Sequence, residues 1–283
     1  MTTTAEKKNG KKIIKKTQLP VFSAGALLPK PQFLSQLKIK RADFEKTGLV
    51  WDDLVKIYNH YSSIKSKLQH SAKAIVEILF SEEAREIGIH SVRYRVKDSN
   101  GLIEKIIRKK LQNPKRKITL QNYRSEITDL IGIRALHIFK TDIYGIHNFV
   151  INTFTLKEGE TPVHYYREGD EETFITLCKG IGYKQEKHKK GYRSIHYIIA
   201  TSLTKENYYA EIQVRTIFEE GWSEIDHKIR YTYKNYSATP FDDSLTSLNR
   251  IAGTADEIGS TIKKLEQKEQ EIILKSAPKK RNK

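Results

Sequence analysis

Two alternating stretches, GYRSIHYIIA and YYAEIQVRT, carry chemically able side chains at every second position. Successive side chains of a strand point to opposite faces. Tyr192, Ser194 and His196 would therefore share one face of the first run, and Glu211, Gln213 and Arg215 one face of the second. An aromatic ring, an imidazole, a carboxylate and a guanidinium on adjacent strands can stack a base, hold a proton and clamp a phosphate. Tyr192 follows a glycine at a loop-to-strand junction, where its ring is either free to stack or part of the core.

A second group lies upstream, in SVRYRVKDSNGLIEKIIRKK. Arg93, Arg95 and Lys97 alternate, so a strand places them on one face. Lys105, Arg108 and Lys109 follow at helical spacing on one side of the next element. Two basic faces from adjacent elements can converge on a polyanion such as a triphosphate; a solvated charged surface is the other reading. In EITDLIGIRALHIF, Asp129 stands just ahead of an apolar run and Arg134 lies within it. A charge inside such a run is costly unless paired, so Arg134 is expected at a sheet edge or facing a site. Asp129 and Glu211 supply two carboxylates from two strands, a set that suits Mg²⁺. His137 has no His or Cys partner at ligand spacing and reads as a packed or solvent-facing histidine.

The elements that must position these groups follow from periodicity. Helices are predicted over 41–64 and 65–88, packed as a hairpin, with Leu68, Ala72, Ile75, Ile78 and Leu79 at helical spacing. From residue 90 strands and helices alternate, which argues for an α+β or α/β core: a mixed sheet of about five strands flanked by helices. Residues 156–190 are polar and are expected to hold a short strand and a mobile loop. The three prolines of LPVFSAGALLPKPQF (Pro20, Pro29 and Pro31) predict an extended or looped segment. After Pro240 a long amphipathic helix is predicted, capped by Ser244 or an aspartate, with apolar positions Leu245, Leu248, Ile251, Ala252, Ala255, Ile258, Ile262 and Leu265. Its expected place is against the core of its own chain.

Composition narrows the classes. The 283 residues carry a net charge of +17, with hydrophobic content of 38% and charged content of 30%. Residues 1–20 and 261–283 each contribute +5 and leave +7 in the middle. No run approaches the ~18 apolar residues of a membrane helix, and the lysine-rich start has no apolar signal region. The single cysteine, Cys178, excludes a disulfide framework and suits a reducing cytoplasm. The expected organisation is a basic disordered tail over 1–20, a helical region over 21–89, a central domain over 90–236, and an amphipathic helix with a basic tail over 237–283.

Taken together, RYRVKDSNGLIEKIIRK, ITDLIGIRALHIF, GYRSIHY and EIQVRTIFEEGWSEIDH, in this order, resemble the RelA/SpoT-type synthetase domain, and more closely the small alarmone synthetases. The resemblance implies a nucleotidyltransferase-like fold and a pyrophosphokinase that moves the β,γ-pyrophosphate of ATP to a ribose 3′-hydroxyl. It implies that Arg95, Lys97, Lys105, Arg108 and Arg134 hold ATP and that Asp129 and Glu211 bind Mg²⁺, with Glu211 also assisting deprotonation. It implies that Tyr192 stacks on the acceptor base, and that His196, Gln213 and Arg215 position the acceptor and phosphates, with Lys190 beside them. GTP or GDP is the acceptor it implies first. The tRNA 3′ end and adenine nucleotides are the alternatives, an RNA-binding module with a decayed site is the non-enzymatic reading, and an antitoxin protein or a second copy are possible partners. The sequence departs from the small synthetases at Gly101, where they have serine, in IGYKQEKHKKGYRS, which lacks their Arg-Asp pair about ten residues before the glycine-tyrosine, and at Glu220, where an asparagine is common. The insert around 156–180 is also longer, and all but the first bear on the acceptor side.

Overall fold

A computed structural model describes residues 27–201, 206–232 and 241–276; the expected tail over 1–20 and the last residues of the C-terminal tail lie outside these. The chain opens with helices α1 (Lys30–Gln36), α2 (Arg41–Lys46), α3 (Trp51–Leu79) and α4 (Glu82–Glu86). Strand β1 (Ile89–Val96) and helix α5 (Ser99–Gln112) follow. Next come the short α6 (Tyr123–Glu126), β2 (Ile131–His137), a 3₁₀ turn (Lys140–Asp142) and α7 (Ile143–Thr153). The polar stretch contains β3 (Val163–Tyr166), α8 (Glu172–Ile181) and β4 (Lys184–Lys187). Strands β5 (Ser194–Thr201) and β6 (Tyr208–Thr216) lead into α9 (Ile217–Thr232), and α10 (Asp242–Ser276) closes the described chain.

The six strands form one mixed sheet in the order β1-β2-β6-β5-β3-β4. The β2–β6 and β3–β4 pairs are parallel and the others antiparallel. One face is apolar: Ile131, Ile133, Ala135, Ile195, Tyr197, Ile199, Ala210, Ile212 and Val214 are all buried in the main core. The other face carries Arg95, Arg134, His196, Glu211, Gln213 and Arg215, because alternation assigns every second residue to it. Register aligns them in rows. Arg95, Gly132 and Glu211 lie opposite one another, and so do Arg93, Arg134, Gln213 and His196.

Several expectations are corrected. The two helices predicted over 41–64 and 65–88 are not a hairpin, because α3 runs unbroken through their boundary. No glycine or proline interrupts Ile64–Leu68, and the buried stripe Leu54, Ile57, Tyr61, Ile64, Leu68, Ala72, Ile75 and Leu79 is continuous. Pro29 and Pro31 precede and enter a helix rather than an extended segment. A proline in the first turn has no intrahelical N–H bond to lose. The expected mixed sheet of about five strands is present, with six among the described residues, since the polar stretch supplies both β3 and β4 with a helix between them. Arg134 is not at a sheet edge: β2 lies between β1 and β6. His137 is buried, with Nδ1 2.9 Å from the Phe139 carbonyl, and burial lowers its pKa. Burial likewise pushes the Cys178 thiol up to about 12.

Helix α10 docks on its own chain, but through only part of the predicted apolar set, Leu245 and Ala252. Ile251, Ile258, Ile262 and Leu265 are exposed. The inward stripe is Leu245, Asn249, Ala252, Asp256 and Ser260, all buried, followed by Lys263, which pairs with Asp142. The Asp256 carboxylate accepts from Thr216 Oγ1 at 3.0 Å. Burial and the nearby Glu219 raise its pKa from 3.8 to about 7, against the opposing pull of Lys140, Thr216 and Arg193. A carboxyl whose folded pKa exceeds its unfolded value costs stability as pH rises between the two. Asp256→Asn should therefore gain on the wild type as pH rises from about 4 to 7 and keep a constant advantage above that. Melting temperatures across that range check it; an advantage that does not change with pH would refute the burial of the charge.

Candidate active site

Two short connections build the basic end of the site. Asp98 caps α5, accepting from the amides of Asn100 (2.9 Å) and Gly101 (3.1 Å), which turns the chain sharply out of β1. Lys97, at the end of β1, and Lys105, one helical turn into α5, thereby reach the same carboxylate. Asp129 Oδ2 lies 2.9 Å from Lys97 Nζ and 2.6 Å from Lys105 Nζ. Tyr61 Oη donates to the Lys97 carbonyl at 2.7 Å and fixes this corner from α3. Burial works to raise the Asp129 pKa, and the two ammonium groups outweigh it and hold the carboxyl below its usual range. Its second oxygen, Oδ1, is buried without a hydrogen-bond partner. A buried, ionised oxygen with an open lone pair is what a cation or a phosphate-bound metal would engage.

Glu211 sits on β6, facing the same side of the sheet. Gln213 Nε2 donates to its Oε2 at 2.6 Å, and His196 Nδ1 is 3.4 Å from Oε1. Burial would raise this carboxyl; the hydrogen bonds and charge of His196, with Gln213 and Lys105, lower it to about 2. Lys105 thus acts on both carboxylates and links the two halves of the site. Arg95 comes over the sheet because Gly132, between it and Glu211 in register, has no side chain. A Cβ there would stand 3.4 Å from Arg95 Nε.

The acceptor end is a connected network. Arg215, 2% exposed, donates from Nη2 to Tyr192 Oη at 2.9 Å and to Gln213 Oε1, and from Nη1 to Ser223 Oγ at 3.0 Å. Tyr192 Oη is also 2.9 Å from His196 Nε2. The Tyr192 ring is therefore held, not free: the Arg215 guanidinium lies 5.0 Å from its centroid, and Tyr165, His188 and His196 meet it edge-on. Thr216 and Glu219 form a capping box at the start of α9, each side chain accepting the other's amide N–H at 3.0 and 2.9 Å. This box aims the next residue, Glu220, at both site arginines. Its carboxylate accepts from Arg134 Nη1 at 2.9 Å and lies 3.2 Å from Arg215 Nη1, while Glu224 also pairs with Arg134. Burial would lower the Arg134 pKa, and these two carboxylates raise it instead.

The candidate residues are thus distributed unevenly. Lys97, Lys105, Asp129, His196, Glu211, Gln213, Arg215 and Tyr192 converge through direct contacts or a shared lysine. Arg134 is brought to the acceptor network rather than to Asp129. Arg95 and Arg108 are exposed, and Lys109 is turned away, donating to the Glu126 carbonyl at 3.1 Å. Lys190 is exposed on the turn before Tyr192. Sequence reasoning missed Tyr165, His188 and Glu224. Only the alternation of VHYY, with Tyr165 opposite Ser194 in register, could have shown that Tyr165 faces the site. Among the described residues no group of three or more His, Cys, Asp or Glu is placed to hold a metal by itself, so a metal here would share its coordination with substrate. No described helix is long and apolar enough to cross a membrane.

A mixed sheet carries paired lysines on an aspartate at one end and an ionised glutamate beside a tyrosine, histidine and arginine at the other, an arrangement whose charges are able to neutralise and align phosphate groups. The family described as a region found in RelA / SpoT proteins matches residues 94–236. GTP pyrophosphokinase YwaC of Bacillus subtilis (strain 168) is 31% identical over 180 residues, 62% of this chain and 74% of its own length. A GTP pyrophosphokinase family protein from Streptococcus pneumoniae shares the fold, with a TM-score of 0.50 and 21% identity over 78% of this chain and 96% of that one. The small alarmone synthetase 2 of Bacillus subtilis gives a TM-score of 0.47 and 27% identity over 71% of this chain and 97% of that one. The chain belongs to the RelA/SpoT family and is a transferase of the pyrophosphokinase type.

Proposed function

We propose that the protein transfers the β,γ-pyrophosphate of ATP to the ribose 3′-hydroxyl of GTP or GDP and releases AMP. A bond forms between the 3′-oxygen and the β-phosphorus, the bond from the β-phosphorus to the α,β-bridging oxygen breaks, and the hydroxyl proton leaves to Glu211 or to water. Transfers of this kind depend on alignment and charge neutralisation more than on covalent catalysis. The observation that carries this reading is the continuity of the site. Lys105 pairs with Asp129 at 2.6 Å and its charge also acts on Glu211, and Glu211 is linked to Tyr192 through His196. The likeness to a GTP pyrophosphokinase supports the guanine acceptor.

Lys97 and Lys105 would neutralise the donor's phosphates, with Arg95 and Arg108 approaching from the exposed rim. Arg134 would join them on leaving Glu224. Tyr192 would stack on the acceptor base, with His196, Gln213 and Arg215 fixing its ribose and phosphates and Lys190 lying at the rim. Asp129 Oδ1 and Glu211 fit Mg²⁺, being ionised, and Oδ1 lacks a partner. Bound there, the ion would supply charge neutralisation at the transferring phosphates.

Incubation with γ-labelled ATP and, separately, GTP, GDP, excess unlabelled ATP or bulk tRNA tests the reading. Label should enter GTP or GDP with AMP release. Label entering only tRNA or only an adenine acceptor would reject the guanine acceptor, and no transfer to any of them would reject the reaction. Tyr192→Ala should weaken acceptor binding by about 1–3 kcal/mol, the range for a base stacked on an aromatic ring, with ATP binding within about twofold of wild type. Equal loss of both, measured by titration calorimetry, would count against a stacking role.

A further inference from the structure

Helix α10 lies outside the residues that match the family, yet it reaches the acceptor loop. Asn249, 2% exposed, donates from Nδ2 to the Gly191 carbonyl at 2.9 Å. Its own carbonyl accepts from Arg193 Nη1 at 3.2 Å. The two neighbours of Tyr192 are thus tied to one residue of α10, Gly191 by its backbone carbonyl to the Asn249 side chain and Arg193 by its side chain to the Asn249 backbone carbonyl. Arg193 is buried and also bridges to Asp170, with Nε and Nη2 at 2.8 and 2.7 Å from the two carboxylate oxygens. Asp170 in turn accepts the Arg167 amide at 2.7 Å, so the turn after β3 belongs to the same assembly.

The fit leaves little slack. Gly191 has φ +78°, which glycine adopts most easily, and a Cβ there would meet Asn249 Nδ2 at 3.1 Å and Arg167 Cδ at 3.2 Å. On α10 itself, a Cβ at Gly253 would stand 2.9 Å from Arg193 Nη2. Asn249 Oδ1 is buried without a partner. An apolar residue would remove that cost but leave the Gly191 carbonyl without its donor, so what asparagine supplies there is the bond to the loop.

We infer that Asn249 is a positioning residue for the acceptor: through Gly191 and Arg193 it sets where the Tyr192 ring stands, and so makes α10 part of acceptor recognition. This rests on the reading of Tyr192 as the acceptor-stacking ring. Small displacements of a binding group are costly in alignment-dependent transfer, so the effect should fall on the acceptor side and spare ATP.

Asn249→Ala should raise KM for GDP about tenfold, change kcat much less and leave KM for ATP unchanged. Gly253→Ala should act in the same direction by pressing on Arg193. Alanine favours helix over glycine, so melting of α10 would not explain that result. Leu245→Ala, on the same docked stripe but away from the loop, should lower the melting temperature without raising KM for GDP. Hydrogen exchange of the amides around 190–194 should rise in Asn249→Ala while the amides of β2 stay protected. A KM for GDP within twofold of wild type in Asn249→Ala, or an equal rise for ATP, would overturn the inference. If the wild type transfers nothing to GTP or GDP, the proposed function fails by itself. The exchange data then decide the positioning claim: a rise confined to 190–194 upholds it, and no rise or a rise throughout the molecule overturns it.

Discussion

Glu211→Gln should lower pyrophosphate transfer to every acceptor by about a thousandfold, the upper range for losing one preorganised polar group at a reacting centre, while the chain still folds. The side chain is held by Gln213 and His196 and faces the charge of Lys105. Glutamine keeps the shape and one accepting oxygen, but it loses the second acceptor and the negative charge that would meet the metal and the attacking hydroxyl. The pH dependence supplies a second readout. The folded carboxyl has a pKa of about 2 against an ordinary value of 4.5. Its ionisation therefore stabilises the wild type above about pH 4.5, and that contribution is lost as pH falls towards 2. At 1.36 kcal/mol per pK unit the contribution is at most about 3 kcal/mol. Urea melts of the variant should be flatter across that interval than those of the wild type. Turnover at the wild-type rate would remove Glu211 from the mechanism, and an equally steep acid transition in both proteins would show that its carboxylate is not held by its neighbours.

Asp129→Ala should cost about 3–5 kcal/mol of stability, the range for removing one partner of a buried ion pair, and should also abolish transfer. The variant leaves Lys97 and Lys105 facing each other with side chains only 13% and 20% exposed and no carboxylate between them. Burial already works to lower the Lys97 pKa, and Asp129 is its main compensation. Adding Lys97→Met to the variant should recover part of the loss, because one of the two unpaired charges is then gone. Urea denaturation measures both; a cost below about 1 kcal/mol would mean that the lysines are effectively solvated. Magnesium should strengthen ATP binding to the wild type and not to Asp129→Ala. The same magnesium effect in both would take Asp129 out of the metal site.

Glu220 gives the acceptor end a different electrostatic balance from the basic end. It is buried against Arg134 and Arg215, so two cations that could meet phosphate are already partly neutralised. Arg134 is thus available to a donor only if the donor's charge outcompetes Glu220 and Glu224. The departure at this position that was visible in the sequence therefore has a structural consequence: it redirects one of the expected donor-side arginines.

The sequence by itself determined the strands and the faces they present. Alternation in β1, β2, β5 and β6 assigned Arg95, Arg134, His196, Glu211, Gln213 and Arg215 to one side, because a period of two leaves no other choice once the apolar residues are buried. It did not determine partners. That Lys97 and Lys105 share Asp129, or that Arg134 reaches Glu220, depends on crossovers that bring residues 24 to 86 positions apart into contact. Tertiary structure also decided the orientation of α10. Periodicity pointed to a broad apolar set from Leu245 to Leu265, but the helix docks through Leu245, Asn249, Ala252 and Asp256 and leaves Ile251, Ile258, Ile262 and Leu265 exposed. A helical pattern reports where apolar side chains lie; it cannot report that buried donors and acceptors elsewhere in the fold, at Gly191, Arg193 and Thr216, are waiting for polar partners.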